Sequence, residues 1–303
     1  MQEEELNKYL KAGEIACRVR KEAERITKPF MKVLELVNKL ENLIKNLGAE
    51  PAFPINVSIN DVAAHYTPTI NDELTIPENA VVKIDIGVHI DGYIADTATT
   101  VSFDKRYTQL VEAAREALIN ALKIVKPGIK FHEIGRVIEE TIKRHGYRPI
   151  YNLSGHSITR YTIHAGDVIP NYRDLKSIGR LKPGKAYAIE PFATNGTGFV
   201  KEAPLVTIYA LKPNPKRVKT LSSEARKLYE VIYNSRRTLP FALRWYLNTV
   251  NVEKIVDMIT ELALQGLVVE YPVLIEKDRG IVTQFEHTLV VTSSSIYITT
   301  DSC

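Results

Sequence analysis

Residues 28–53 read KPFMKVLELVNKLENLIKNLGAEPAF, and residues 126–151 read KPGIKFHEIGRVIEETIKRHGYRPIY. The two stretches align without a gap at an offset of 98. Nine of 26 positions are identical, among them the Lys-Pro start, the late glycine and the proline near the closing aromatic. Each copy predicts a helix, a proline-marked corner, a second helix, a glycine stop and then strands. In the first copy Leu36, Leu40, Leu43, Ile44 and Leu47 recur at helical spacing ahead of Gly48. In the second, Ile134, Ile138 and Ile142 do so ahead of Gly146. Such stripes must pack on something, and β-branched and aromatic residues follow each of them. The repeat therefore predicts an α+β fold of two pseudo-symmetric halves, each laying helices on one face of a sheet. A site at the seam between the halves follows naturally.

The stretch 205–275 has no counterpart in the first half. It opens on a basic, proline-containing loop, Lys212-Pro213-Asn214-Pro215-Lys216-Arg217, and continues as three short helical patterns. Ser222 or Ser223 suits an N-cap, Pro240 begins the second pattern and Gly266 closes the third. The stretch reads as a helical insertion within a single unit spanning 1–303. Arg236, Arg237, Arg244 and Trp245 read either as a basic aromatic surface for nucleic acid or, more simply, as a solvated helix face.

The remainder of the 303 residues excludes whole classes. With 45% hydrophobic and 25% charged residues the chain is neither collagenous nor disordered. No apolar run approaches the ~18 residues that span a bilayer, and the start, MQEEELNKYL, is neither a signal nor a transit peptide. A net charge of +4 argues only weakly for a polyanionic partner. Cys17 and Cys303, the two cysteines, lie far apart, which excludes a disulfide scaffold and a cysteine zinc cage and fits a reducing cytoplasm.

The chemistry begins in Val81–Thr97. Asp91-Gly92 between apolar alternations predicts a two-residue type I′ hairpin. In that register Gly87 faces Asp96 and Asp85 faces Ala98, so Asp85 and Asp96 share one face, diagonal across the strands. Two carboxylates so placed repel unless one is protonated or a cation lies between them. Val82, Ile84 and Ile86 already use the other face for packing, which argues against a solvent-facing acidic hairpin. His156 follows Gly155 in NLSGHSI, while Glu190 in AYAIEPF and Glu286 in IVTQFEHTLVV interrupt apolar strands. A buried ionised carboxylate needs a partner. Singly, each is a salt-bridged core acid. Together they form an Asp, Asp, His, Glu, Glu set whose four carboxylates balance two divalent cations, and such ligands suit Mn, Fe, Co or Zn. Aligning Pro77-x-x-Ala80 with Pro183-x-x-Ala186 brings Asp85 onto Glu190 after a one-residue gap. His65 and His164 lie 99 residues apart, one in each half, and read as a pair flanking the metal site.

The order Asp85, Asp96, His156, Glu190, Glu286 resembles the dinuclear metallopeptidases of the pita-bread fold. The flanking motifs AHYTP, VVKIDIGVHIDGYIADTATTV, NLSGHSI, YAIEPFAT and VTQFEHTLVV look like type 2 methionine aminopeptidases, in the compact archaeal form. The resemblance covers essentially the whole chain. The gap of 96 residues between Glu190 and Glu286 fits the winged-helix-like insertion of type 2 enzymes.

The resemblance implies that two divalent ions are held per chain. Asp96 and Glu286 bridge both, Asp85 holds one, and His156 with Glu190 holds the other. It makes Glu190 the general base, has His65 and His164 contact substrate and tetrahedral intermediate, and exposes His65 to fumagillin-type epoxides. It implies a methionine pocket containing Phe53, Ile163, His164 and Tyr271. The implied reaction is removal of N-terminal methionine from nascent chains before a small second residue, and the protein is expected to be a cytoplasmic monomer. Separately, the basic and proline-rich Lys212–Lys219 loop, with the +4 charge, reads as a ribosome-docking loop. The competing readings are an Xaa-Pro peptidase, which usually carries an extra N-terminal domain, and a non-catalytic binding protein, which has lost ligands.

Overall fold

The computed structural model describes residues 1–247 and 254–303. The first half opens with α1 (Glu3–Ile26) and α2 (Val33–Asn46), whose apolar stripes bury Ile15, Val19, Leu36, Leu40 and Ile44. Strands β1 (Glu50–Pro51), β2 (Asn56–Ile59) and β3 (Val62–Ala64) follow, then the long hairpin β4 (Val81–Ile90) and β5 (Tyr93–Ser102). β4 pairs antiparallel with β1, β2 and β5. The hairpin register is the expected one, with Gly87 opposite Asp96 and Asp85 opposite Ala98. Its turn has Asp91 at φ 51° and Gly92 at φ 85°, the two left-handed residues that type I′ requires.

The second half repeats the plan. Helices α3 (Thr108–Ile124) and α4 (Phe131–Arg144) precede β6 (Arg148–Pro149), β7 (Ser154–Ile158) and β8 (Val168–Pro170), then β9 (Ala186–Ile189) and β10 (Phe192–Thr194). The helix stops agree to the degree, since Gly48 and Gly146 both sit at φ 82°. The corners agree as well, Phe30 at φ 65° matching Gly128 at φ 84°. The chain then departs along β11 (Val200–Leu211), α5 (Pro215–Val218), α6 (Ser223–Arg236), α7 (Ile255–Leu264) and β12 (Val268–Glu276). It returns through β13 (Val282–Gln284) and β14 (His287–Val291), and ends with β15 (Ile296–Ile298). β9 pairs with both β7 and β14, as β4 pairs with β2 and β5. The insertion thus interrupts the second half's equivalent of the β4–β5 hairpin.

The departing segment has its own core, built from Leu211, Leu228, Ile232, Phe241, Ile259 and Leu262. Ser222 caps α6 by accepting from the Ala225 N–H, and Gly266 follows α7 at φ 63°. Of the second expected helix the described residues include one 3-10 turn, Leu243–Tyr246, and residues 248–253 lie outside the described residues.

Three expectations need correcting. Cys17 and Cys303 are joined in a disulfide rather than free, because residues 296–303 fold back onto α1. A Cβ on Gly13 would stand 2.1 Å from the Thr299 carbonyl oxygen, so α1 and this tail pack backbone to backbone. Such a bond does not exclude an intracellular protein, since those of hyperthermophiles carry them. The arginine-rich segment is not one solvated or nucleic-acid-facing surface: Arg237 is exposed, but Arg236 and Arg244 are not. Arg236 is 6% exposed and the Arg244 side chain 5%, both locked into the first half by hydrogen bonds. The apolar stretches around Glu190 and Glu286 are broken strands. β9 stops before Glu190-Pro191, where proline has no N–H to donate, and β13 stops before Phe285-Glu286.

Candidate active site

The breaks just described place the acids. Ile189 faces His287 before the interruption and Phe192 faces Gln284 after it, so Glu190 and Glu286 fall opposite one another. Glu286 also bridges across the seam to β5, exchanging backbone hydrogen bonds with Ala98 at 3.1 and 3.4 Å. β5 is fixed further by Thr288, whose hydroxyl accepts from the Asp96 N–H and donates to the Asp96 carbonyl, both at 2.8 Å. Thr97 Oγ1 donates to the Glu286 carbonyl at 2.8 Å, and Thr100 Oγ1 to that of Gln284 at 2.7 Å. The seam therefore delivers Asp85 and Asp96 from the first half against Glu190 and Glu286 from the second. His156 comes from β7, where Gly155 lets the strand approach β9; a Cβ there would meet the Ala188 oxygen at 2.4 Å.

Asp96, His156 and Glu286 offer one ligand atom each, all within 4.8 Å of one another. His156 Nε2 lies 3.6 Å from both Asp96 Oδ2 and Glu190 Oε1. Asp85 and Glu190 stand outside that tightest trio but line the same cavity, of about 360 Å³. Burial pushes the Asp85 carboxyl up to about 7. Burial also raises Asp96, Glu190 and Glu286, and the negative neighbours add to it. Among the described residues, buried Asp85 Oδ1, Asp96 Oδ1 and Glu286 Oε1 have no hydrogen-bond partner. Unpaired acceptors on crowded carboxylates, beside a histidine that burial lowers to about 3 and so keeps neutral, are a donor set that fits divalent cations.

Every residue named in the sequence for the metal site and substrate pocket lines this one cavity: Phe53, His65, Asp85, Asp96, His156, Ile163, His164, Glu190, Tyr271 and Glu286. Phe53 packs against Gly87, where a Cβ would come within 2.2 Å of its ring. His65 holds a left-handed backbone at φ 66°, an uncommon conformation for a residue with a side chain. Its Nδ1 lies 3.2 Å from the Pro272 carbonyl, its ring is edge-on to Tyr271, and loss of solvent followed by the nearby His164 lowers it to about 4. His164 stands at the open side, its centroid 4.6 Å from that of His156. Sequence reasoning missed Asn56, Asn152, Leu153, Phe192, Ile208 and Pro240, which also line the cavity. Asn56 was findable, since it is the cross-strand partner of Asp85. Pro240 was not, because nothing local says that the insertion folds back over Phe53.

Residues 7–293 match the model of metallopeptidase family M24. The chain is 48% identical over 303 residues to the methionine aminopeptidase of Saccharolobus solfataricus, covering all of both chains. It is 46% identical over 298 residues to that of Pyrococcus abyssi, covering 98% of this chain and all of the other. Its architecture matches the crystal structure of methionine aminopeptidase from Thermotoga maritima, with a TM-score of 0.71 at 22% identity over 99% of this chain and 98% of that one. The two pseudo-symmetric halves are those of the pita-bread fold, and the chain belongs to metallopeptidase family M24.

Proposed function

We propose that this chain is a methionine aminopeptidase, a metal-dependent hydrolase that cleaves the first peptide bond behind an N-terminal methionine, with preference for a small second residue. The observation that carries this reading is one cavity that unites a carboxylate-rich base with an apolar slot, in a chain alike end to end to methionine aminopeptidases. The catalytic unit spans 1–303, with 205–275 as a winged-helix-like insertion. Asp85, Asp96, His156, Glu190 and Glu286 would hold two divalent ions, drawn from Co, Mn, Fe or Zn. When bound, they supply Lewis acidity toward the scissile carbonyl and toward water.

The protein groups then divide the work. Glu190 receives the proton of the attacking water at a carboxylate oxygen and passes it to the departing amine. His65 is a neutral ring whose Nδ1–H donates to the Pro272 carbonyl, leaving Nε2 with a free lone pair. That tautomer accepts from a substrate N–H and is nucleophilic toward an epoxide. His164, at the mouth, hydrogen-bonds the oxygen on which charge develops. Phe53, Ile163 and Tyr271 wall the slot, where an unbranched, polarisable thioether packs well.

The test is hydrolysis of Met-Ala-Ser beside an Xaa-Pro dipeptide, in metal-free buffer and with added Co or Mn. Metal-dependent release of methionine alone is the expected result. Cleavage of only the Xaa-Pro substrate keeps the site and moves the substrate class, and cleavage of neither by metal-loaded protein rejects the enzyme. The chain works as a cytoplasmic monomer on nascent polypeptides, and Lys212, Lys216, Arg217 and Lys219, all exposed, dock it on the ribosome. Reversing these charges should lower co-sedimentation with ribosomes and spare peptide turnover; an unchanged pellet fraction would refute the docking.

A further inference from the structure

The insertion meets the first half through two buried arginines that share one tryptophan. Arg244 donates to Glu41 of α2, to Thr67 Oγ1 at 3.0 Å and to the Pro68 carbonyl at 3.1 Å. Trp245 Nε1 donates to the other Glu41 oxygen at 2.8 Å. Arg236, the last residue of α6, stacks on the Trp245 ring, 4.9 Å from its centroid. Among the described residues no carboxylate pairs with Arg236. Its partners are two carbonyls: one terminal nitrogen donates to Ala52 O at 2.9 Å and to Pro240 O at 3.1 Å. A buried cation without an ion pair is costly, and carbonyl bonds with an aromatic face offset only part of that cost. Chains that break a local rule in this way tend to do so at functional sites.

The place of these two carbonyls gives the cation its use. Ala52 precedes Phe53, and Phe53 and Pro240 both line the cavity. Leu239, beside Pro240, packs in one cluster with Ala52, Phe53 and Ile163. One wall of the slot thus comes from the first half and another from the insertion, and a single guanidinium nitrogen ties the backbones of both.

We propose that Arg236 is the positioning residue of the side-chain slot: by holding the Ala52 and Pro240 carbonyls together it sets the distance between the Phe53 and Pro240 walls, and so selects an unbranched side chain. Lysine cannot replace it, because its shorter stem ends in an ammonium that does not stack flat on Trp245. The inference rests on the aminopeptidase reading of the cavity.

The test uses full-length, metal-loaded protein, with kcat and KM measured for Met-Ala-Ser, norleucyl-Ala-Ser and Leu-Ala-Ser. In Arg236→Ala the methionine-to-leucine ratio of kcat/KM should fall about tenfold or more, the scale at which an apolar pocket discriminates by shape. The loss should appear chiefly as a raised KM for methionine. Added ethylguanidinium should restore the ratio, which a general loss of structure would not allow. Equal losses on all three peptides, or an unchanged ratio, would overturn the proposal. Should Arg236→Ala not fold, Arg236→Lys decides by the same ratio, a fall supporting the proposal and an unchanged ratio rejecting it. Failure of the unmodified protein to release methionine from any of these peptides would instead reject the aminopeptidase reading.

Discussion

Reducing the Cys17–Cys303 bond should lower the melting temperature without touching the active site. The two sulfurs are separated by 286 residues, so the bond closes nearly the whole chain into a loop. With roughly 290 residues in that loop, the chain-entropy expression removes about 19 cal/mol/K from the unfolded ensemble, or about 5.6 kcal/mol at 25 °C. The realised value is smaller, because residual structure in the unfolded chain already restricts it and measured disulfides fall near 2–4 kcal/mol. At roughly 2–3 °C per kcal/mol for a large domain, the expected drop is about 5–10 °C. Non-covalent contacts should keep the tail docked. Lys21 Nζ donates to the Cys303 carbonyl at 2.8 Å, Thr299 N to Thr288 O at 2.9 Å, and Thr288 N to Thr300 Oγ1 at 3.1 Å.

The assay is a thiol titration under denaturing conditions on protein purified without reductant, followed by melting curves with and without reductant and for Cys303→Ser. No titratable thiol, and a drop shared by the reduced protein and Cys303→Ser, is the expected result. Gly13→Ala, whose Cβ would collide with the Thr299 carbonyl, should lower the melting temperature even in reduced protein and so separates packing from the covalent link. Two free thiols before reduction, or superimposable melting curves, would refute the reasoning.

Further outcomes follow from the site. Glu190→Gln should lower kcat by about 10²–10⁴, the range of a lost general base, while KM moves little and metal content is checked in parallel; near-normal kcat removes Glu190 from that role. Adding Mn or Co to metal-free protein should raise its stability by about 2.7 kcal/mol at a hundredfold excess over Kd, and Asp96→Asn should abolish the gain; a gain retained by the variant argues against the ligand set. His89, buried under Tyr161, is held down to about 3 by burial and then by Arg236. Its folded value lies below the unfolded one, so its contribution is complete above about pH 6.5 and is lost as pH falls toward 3, at most about 5 kcal/mol. His89→Asn, which can still accept the Gly92 N–H, should soften the loss of urea stability between pH 7 and 4.5, and identical losses in the two proteins would exclude that assignment.

What the sequence revealed depends on whether a residue looks out of place among its neighbours. The paired helices were legible because Leu36, Leu40 and Ile44, like Ile134, Ile138 and Ile142, keep a helical period over several turns. The hairpin was legible because Asp91-Gly92 suits few backbone shapes other than a tight turn. Glu190 and Glu286 drew notice because a charge in an apolar strand requires an explanation. Of the strand breaks at those same residues, the one at Pro191 has a local signal in a residue with no N–H to donate, whereas the one at Phe285 was hidden, since phenylalanine sits as comfortably inside an apolar run as at its end.

Arg236 and Arg244 show the converse. Each lies in a polar, charge-rich segment where another arginine is unremarkable, and their partners Glu41, Ala52 and Pro68 come from the other half of the chain. Cys17 and Cys303 are hidden for the same reason, the second half of the information being 286 residues away. A buried charge announces itself only when its own neighbours in sequence are apolar. When they are polar, burial is conferred by packing that arrives from elsewhere, and only the fold reveals it. The acids proposed to hold metal belong to the first kind. Arg236, proposed to position the side-chain slot, belongs to the second, so on that reading the site of reaction is written more openly in the sequence than the choice of substrate.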